Sequence, residues 1–443
     1  MAVCAAPKQK SDLFTQTLAV ALLFCAVAAG QDATLIRAKE AMRERLASTP
    51  NYTCVLEIDR SVYPGAATGR FRSKELARLE VSVVGGRENF AWPGDSSTQE
   101  LLEKLLGPGL SSTGEFSAHG RSTFLDPRSK IERLPEELQK EPGRVGYSYR
   151  VPLEASRYVV AGGETGARSA YEGEFWVERE SGQLVRFDVR VPQAPETSGV
   201  RRIDSFVLYG QRQVSGRAVW LPSEAQIVVE SAAGRSFRND LRFLDCRAFQ
   251  AEATIRFDDA GAGASEGSGP VRHADVPAGL ELSMELGTGF DSESARAGDR
   301  FEAKLLRAAP EKGEAVLPKG ARVTGRVRRL AVIDGGTGRG ARRVTTFTLE
   351  LLDVRWPGYC APVSGTLVMV DKIPRMAPVN PDGLQLPKAF FNSDRALGFR
   401  TAARLSASGE GTFVVLGEKY TIPPGARMRW RTEAQPEGAC ALR

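Results

Sequence analysis

Histidine is almost missing from this chain of 443 residues, which contains only His119 and His273. Two histidines far apart in sequence disfavour a multi-histidine metal site and a histidine-based catalytic centre. His119 lies in a polar stretch, residues 117–121, that predicts a loop. The sequence also lacks a Gly-x-Ser-x-Gly elbow, a His-Glu-x-x-His motif and a Cys-x-x-Cys pair. We therefore predict a protein that is not an enzyme, with no catalytic residue, no cofactor and no metal ion.

Long apolar runs are also missing after residue 30, which predicts no membrane-spanning segment in the mature chain. The N-terminus has the order of a secretory signal peptide, with Lys8 and Lys10, an apolar run over residues 18–29 and small residues up to Gly30. We expect cleavage of residues 1–30 and a periplasmic or extracellular product. An uncleaved N-terminal anchor is the alternative.

Only four cysteines remain after residue 30. They are Cys54, Cys246, Cys360 and Cys440. An even number of cysteines in an exported chain predicts disulfides, and four cysteines allow three pairings. We favour Cys54–Cys246 and Cys360–Cys440, because each pair then brackets one predicted domain.

Large apolar residues are absent from residues 258–270, which consist mainly of glycine, alanine, serine and acidic residues. This composition is typical of a flexible linker. We predict a first domain over 31–257, a linker over 258–273 and a second domain over 274–443.

The first domain begins with amphipathic helix signals and continues mostly as strands. Apolar residues recur at helical spacing over residues 33–46, and a capping box at Ser97 opens a second helix that ends near Leu106. Alternating residues over 51–60 and 184–191 predict strands with one buried face. This order indicates an α+β fold, in which a curved antiparallel sheet is covered by helices.

The strand at residues 51–58 and the hairpin at 173–186, followed by Trp220-Leu-Pro222, resemble the outer-membrane lipoprotein carriers of the LolA-like and RseB-like family. The resemblance covers roughly residues 31–257. It implies an unclosed β-barrel with covering helices and an apolar concave face that holds acyl chains. The family has no catalytic residue to carry over.

The second domain has many short alternating strands separated by glycine and proline turns, which predicts an all-β sandwich or small barrel. Residues 276–330 carry the order Pro-Ala-Gly, Ala-Gly-Asp-Arg-Phe and Leu-Pro-Lys-Gly-Ala-Arg-Val-Thr-Gly. This order is similar to the β-domain of TrbI-like components of conjugation and type IV secretion machines. The similarity implies the fold and not membership of a secretion complex.

Basic residues concentrate in one segment of an otherwise nearly neutral mature chain. Within residues 322–343 there are seven arginines and a single acidic residue, Asp334, and these arginines are Arg322, Arg326, Arg328, Arg329, Arg339, Arg342 and Arg343. A solvated hairpin is one explanation. The other is a patch for an anionic partner, such as lipid head groups, whereas nucleic acid is disfavoured because no aromatic residues interleave the arginines.

The sequence thus predicts an exported cell-envelope protein that binds an apolar or acylated ligand, a lipid or a lipoprotein, in its first domain. The alternative is a structural or assembly protein that contacts envelope or secretion components through its second domain.

Overall fold

A computed structural model describes residues 32–95, 102–106, 118–139, 141–162, 165–249, 272–311, 314–334, 343–370, 376–379, 409–417, 419–434 and 440. The predicted signal peptide (1–30) and most of the predicted linker (258–271) lie outside the described residues. No helix among those described is long and apolar enough to cross a membrane.

Helices are few and short. Helix α1 (Ala33–Ser48) begins at Asp32, whose side chain accepts hydrogen bonds from the first free backbone N–H groups, as an N-cap does. The described part of the second predicted helix is α2 (Leu102–Leu106). Helix α3 (Ala118–Gly120) continues directly into a π-helical turn (Arg121–Leu125).

The first half of the chain forms an unclosed antiparallel sheet of ten strands, in the order β4-β5-β8-β9-β10-β11-β12-β1-β2-β3, beside a separate hairpin of β6 and β7. The strands are β1 (Tyr52–Tyr63), β2 (Ser73–Val84), β3 (Arg87–Ala91), β4 (Lys130–Arg133), β5 (Arg144–Val151), β6 (Val159–Gly162), β7 (Thr165–Arg168), β8 (Tyr171–Glu178), β9 (Leu184–Val191), β10 (Val200–Val214), β11 (Arg217–Ser231) and β12 (Ser236–Ala248). Burial alternates along β8 and β9, as the two-residue period requires.

In the second half, every regular element among the described residues is a strand, which agrees with the all-β prediction for this part. The strands are β13 (Arg272–His273), β14 (Glu281–Leu286), β15 (Phe290–Asp291), β16 (Arg300–Leu305), β17 (Ala309–Glu311), β18 (Glu314–Leu317), β19 (Arg322–Ile333), β20 (Val344–Trp356), β21 (Tyr359–Pro362), β22 (Gly365–Val370), β23 (Met376–Val379), β24 (Glu410–Leu416), β25 (Thr421–Ile422) and β26 (Arg427–Thr432). The main strand order is β22-β26-β14-β16-β19-β20-β24-β23. Its core includes a stacked pair, Phe347 and Phe413, at 5.0 Å between ring centroids.

Strand β19 joins the two halves into one hydrogen-bonded sheet. Its first residues pair with β16, and Ala331–Ile333 pair with residues 73–75 of β2. The backbone N–H of Arg78 also donates to the carbonyl of Ala297 at 2.7 Å. The two predicted domains are therefore not separated in space. In addition, the predicted linker extends too far, because Arg272–His273 pair with β21 as β13.

The structure brings together the cysteine pairs that the sequence analysis favoured. Cys54 and Cys246 are bonded between the neighbouring strands β1 and β12, and Cys360 of β21 is bonded to Cys440. The first bridge closes a loop of 192 residues. Each disulfide lies within one half of the chain, so neither links the two halves covalently.

Candidate functional site

The inner face of the first sheet is lined by aromatic rings on β5, β8 and β9. Phe175 and Phe187 are fully buried, and Tyr149 stacks on Phe187 with 4.9 Å between ring centroids. Tyr147 stacks on Phe175 at 5.1 Å. Because alternate residues of a strand share one face, the two-residue period of these strands places all of these rings together.

A glycine allows Tyr149 to lie flat across β8. A Cβ atom on Gly173 would be 2.0 Å from the carbonyl oxygen of Asp188 and 3.0 Å from the Tyr149 hydroxyl. The hydroxyl donates to that same carbonyl at 2.8 Å. Burial raises the pKa of Tyr149 well above its ordinary value, so the phenol stays neutral and keeps donating this hydrogen bond.

Helix α1 is fixed against the sheet at its N-terminal end. Tyr147 donates to Oδ2 of Asp32 at 2.8 Å, and Arg37 donates to the carbonyl of Arg179 at 2.8 Å. Burial acts to raise the pKa of Asp32. The hydrogen bonds from Tyr147 and from two backbone N–H groups, together with Arg133, outweigh it and lower the pKa.

The second part of the cover is α3 with its π-helical turn. Phe124 of the turn packs on Phe175 at 4.7 Å between ring centroids. Gly120 permits contact with α1, because a Cβ there would lie 2.8 Å from the sulfur of Met42 and 3.6 Å from Leu46. The two parts of the cover thus touch each other above the aromatic rings.

His119 belongs to this cover and not to a polar loop, so the sequence-based prediction for this residue was wrong. Its ring lies 5.3 Å from Tyr158, 5.3 Å from Tyr171 and 5.6 Å from Phe187. Burial lowers its pKa to about 4, so the imidazole is neutral at neutral pH. No sequence pattern indicates this position for His119, because its aromatic neighbours come from strands and a loop more than thirty residues away.

The aromatic cluster reaches the surface at two of its rings. His119 and Tyr158 are each half-buried. Val159 follows Tyr158 directly and its residue surface is 55% exposed, and Leu153, five residues before Tyr158, is 46% exposed. Large apolar residues at such exposure, beside an apolar interior, are typical of a binding surface.

Helix α2 is held at its C-terminal end by two arginines from different halves of the chain. Arg60, on the inner face of β1, donates to the carbonyl of Leu106 at 3.1 Å, and Arg328 of β19 donates to the carbonyl of Leu105. Cations at this end satisfy free carbonyl groups and oppose the helix dipole. Leu102, Leu105 and Leu106 are buried.

The arginines of the predicted anionic-partner patch do not form one surface. Arg326 is buried, with ion pairs to Asp95 at 2.9 Å and Glu350 at 3.4 Å, and it lies over Trp92. Arg328 faces the same way and lies 3.9 Å from Glu350. The prediction was wrong for these two residues. It counted charges only within residues 322–343, and the acidic partners lie outside that segment.

The remaining members of that patch are spread apart. Arg322 is exposed, with Glu302 at 3.8 Å. Arg329 is half-buried on β19, and Arg343 lies over the ring of Phe71 at 4.6 Å. Arg339 and Arg342 lie outside the described residues.

The rings that line the inner face make it predominantly apolar. Within the described part of the chain, no group of three or more His, Cys, Asp or Glu residues could hold a metal ion. The Tyr149 hydroxyl, which faces the rings, has a protein hydrogen-bond partner.

Neither the family models nor the curated proteins contain a match to this sequence. Among solved structures, the chain is similar to the crystal structure of a LolA superfamily protein, NE2245, from Nitrosomonas europaea, with 12% sequence identity. The alignment covers 50% of this chain and 94% of that chain, with a TM-score of 0.25. At this TM-score the similarity supplies no evidence about the ligand. The resemblance of the second half to TrbI-like proteins stays a prediction.

Proposed function

We propose that this protein is an exported, non-enzymatic binding protein that holds an acyl chain between the inner face of the first sheet and its cover. The observation that carries the proposal is the cluster of aromatic rings that reaches the surface at His119 and Tyr158. The exposed side chains of Leu153 and Val159 lie next to that opening in sequence.

Two features of the cover favour a ligand that enters and leaves. Helix α3 is only three residues long, and the described contacts of α3 and its π-helical turn are mainly ring packing, with few hydrogen bonds to the sheet. Short elements held by few hydrogen bonds open at low free-energy cost. The hydrogen-bonded sheet beneath stays intact, so opening does not require unfolding.

The test is lipid extraction from the purified protein followed by mass spectrometry. The double variant Leu153→Glu/Val159→Glu places two carboxylates at the opening, and we expect it to retain several-fold less acyl lipid. Leu138→Glu/Val368→Glu is the matched control, since both residues are comparably exposed and lie elsewhere. An extract without acyl lipid, together with no binding of 1-dodecanol, would exclude the proposal.

A second candidate is contact with an envelope protein through the end of β20 and β21. Trp356 and Tyr359 stack there with 5.4 Å between ring centroids, and Tyr359 is 37% exposed. Arg322, the exposed arginine of β19, lies opposite Arg355 in the β19–β20 strand pairing, and Arg355 precedes Trp356 in sequence. Aromatic residues and arginine are enriched at protein interfaces. Cross-linking in the envelope, with Arg322→Ser/Tyr359→Ser as the variant, would show loss of a partner while bound lipid is retained.

A further inference from the structure

Arg45 of α1 lies on the side of the helix that faces the sheet. It follows Met42, a buried contact of the cover, by three residues, and this spacing puts both side chains on one face. The guanidinium carbon of Arg45 is 4.2 Å from the ring centroid of Tyr209, on β10. The guanidinium also interacts electrostatically with Tyr52, a fully buried residue of β1.

No carboxylate balances this charge among the residues that the structure describes. Arg45 makes no ion pair there, and its Nη1 atom is buried without a hydrogen-bond partner. Burial lowers the pKa of Arg45, but a guanidinium remains charged in proteins. Arg45 is half-buried as a residue, and its Nη1 atom is fully enclosed. Withdrawing part of a cation from water without an anion is costly, and stacking on Tyr209 offsets only part of the cost.

The position of Arg45 connects it with the apolar site. The neighbouring residue Leu46 and Met42 are the two side chains that contact Gly120 of α3. Tyr209, on which the Arg45 guanidinium lies, is also close enough to Tyr149 of the aromatic cluster to interact with it electrostatically. A ligand in the site would meet rings along its chain and a positive charge at one end.

We infer that the ligand is an acyl lipid with an anionic head group, a carboxylate or a phosphate, which the guanidinium of Arg45 binds through Nη1. This inference rests on the proposed function and specifies its substrate class. An anionic oxygen would supply both the missing hydrogen bond and the missing negative charge. Hydrogen bonds between ionised groups are stronger than those between neutral groups.

The test compares two probes of equal chain length, dodecanoate and 1-dodecanol, by calorimetric titration of the full mature chain at neutral pH. Hydrogen bonds to charged groups contribute about 1.5–3 kcal/mol, so we expect dodecanoate to bind at least about tenfold more tightly. Dodecyl phosphate, as a third probe, distinguishes a phosphate head from a carboxylate head by its rank in the same series.

Arg45→Gln should remove the preference for dodecanoate over dodecanol. Arg43→Gln is the matched control, because Arg43 is exposed on the same helix and its substitution should change neither affinity. Thermal unfolding checks that both variants fold. The wild-type comparison needs no variant, so it remains decisive if Arg45→Gln does not fold.

The outcomes separate the two proposals. Binding of dodecanol and dodecanoate with equal affinity by the wild-type chain would overturn the role of Arg45 and leave the acyl site standing. A preference for the anion that persists in Arg45→Gln would also overturn it. Binding of neither probe would exclude the acyl site itself.

Discussion

The hydroxyl of Tyr147 donates a 2.8 Å hydrogen bond to Oδ2 of Asp32, and this contact joins the inner face of the sheet to the first turn of α1. Tyr147→Phe removes the bond without changing the packing of the ring on Phe175. We expect the free energy of unfolding to fall by about 1–2 kcal/mol at neutral pH, because the acceptor is ionised. Urea unfolding of the two proteins measures the difference.

The effect of Tyr147→Phe should depend on pH with a defined sign. The pKa of Asp32 is lower in the folded protein than in the unfolded chain. Its contribution to stability is therefore complete above the unfolded pKa of about 3.9 and disappears as the pH falls through the folded value. The difference between wild type and Tyr147→Phe should shrink over that range. Tyr359→Phe, an exposed tyrosine, is the control and should show no such pH dependence.

His119 should make the protein less stable in weak acid. Its pKa is about 4 when folded and about 6.5 when unfolded, so between these values only the unfolded chain takes up the proton. Stability falls as the pH decreases from 6.5 to 4, by about 2–3 kcal/mol in total. His119→Phe keeps an aromatic ring at this position and should abolish that slope.

The control variant for His119→Phe is His273→Phe, since His273 is exposed. The quantity to measure is the change in the free energy of unfolding between pH 7 and pH 4.5. An equal slope in wild type and His119→Phe would show that His119 is not buried in its neutral form.

The strands of the first half were predictable where apolar and polar residues alternate along the strand without interruption. Val185, Phe187, Val189 and Val191 were predicted to share a face, and all four are buried. The hairpin identified at residues 173–186 is present, and Gly182 in its turn has a φ of 70°, which suits glycine. Local sequence determines such features, so the sequence alone identifies them.

Features that depend on distant partners were not predictable. From the sequence, Arg326 is expected to be a surface charge. In the structure it forms ion pairs with Asp95 and Glu350, which are distant in sequence. The pairing of β19 with β2 brings together residues about 260 positions apart, across a segment with linker composition. One signal was available for Arg45, since it falls on the helical stripe that also contains Met42.

Gly173→Ala tests whether the close approach of Tyr149 to β9 maintains the inner face. The added methyl group would overlap the carbonyl oxygen of Asp188, which is backbone and cannot move aside cheaply. We expect the free energy of unfolding to fall by about 3 kcal/mol or more, with loss of the buried stacking between Tyr149 and Phe187. Gly210→Ala is the control, because nothing lies within 4 Å of the added methyl group there. Equal stability of the two variants would contradict the structure.

The pairing of the two halves predicts that a cut between them does not separate them. A specific protease site placed at 261–266 allows the folded protein to be cleaved, and each disulfide remains within one fragment. We expect the fragments to elute together in gel filtration, with or without reductant. The contacts that hold them include the pairing of β19 with β2 and the ion pairs from Arg326 to Asp95 and from Arg78 to Asp299.

Removing those ion pairs should weaken the association of the cleaved fragments. Arg326 is buried, and breaking one partner of a buried pair typically costs about 3–5 kcal/mol, so Arg78→Ala/Arg326→Ala should weaken the association by about a hundredfold or more. Arg322→Ala/Arg427→Ala removes two exposed arginines and is the control, in which the two fragments should stay associated. After the cut, no covalent bond joins the two fragments, so only the shared sheet and the ion pairs hold them. Separation of the wild-type fragments at micromolar concentration would therefore show that the halves are independent domains.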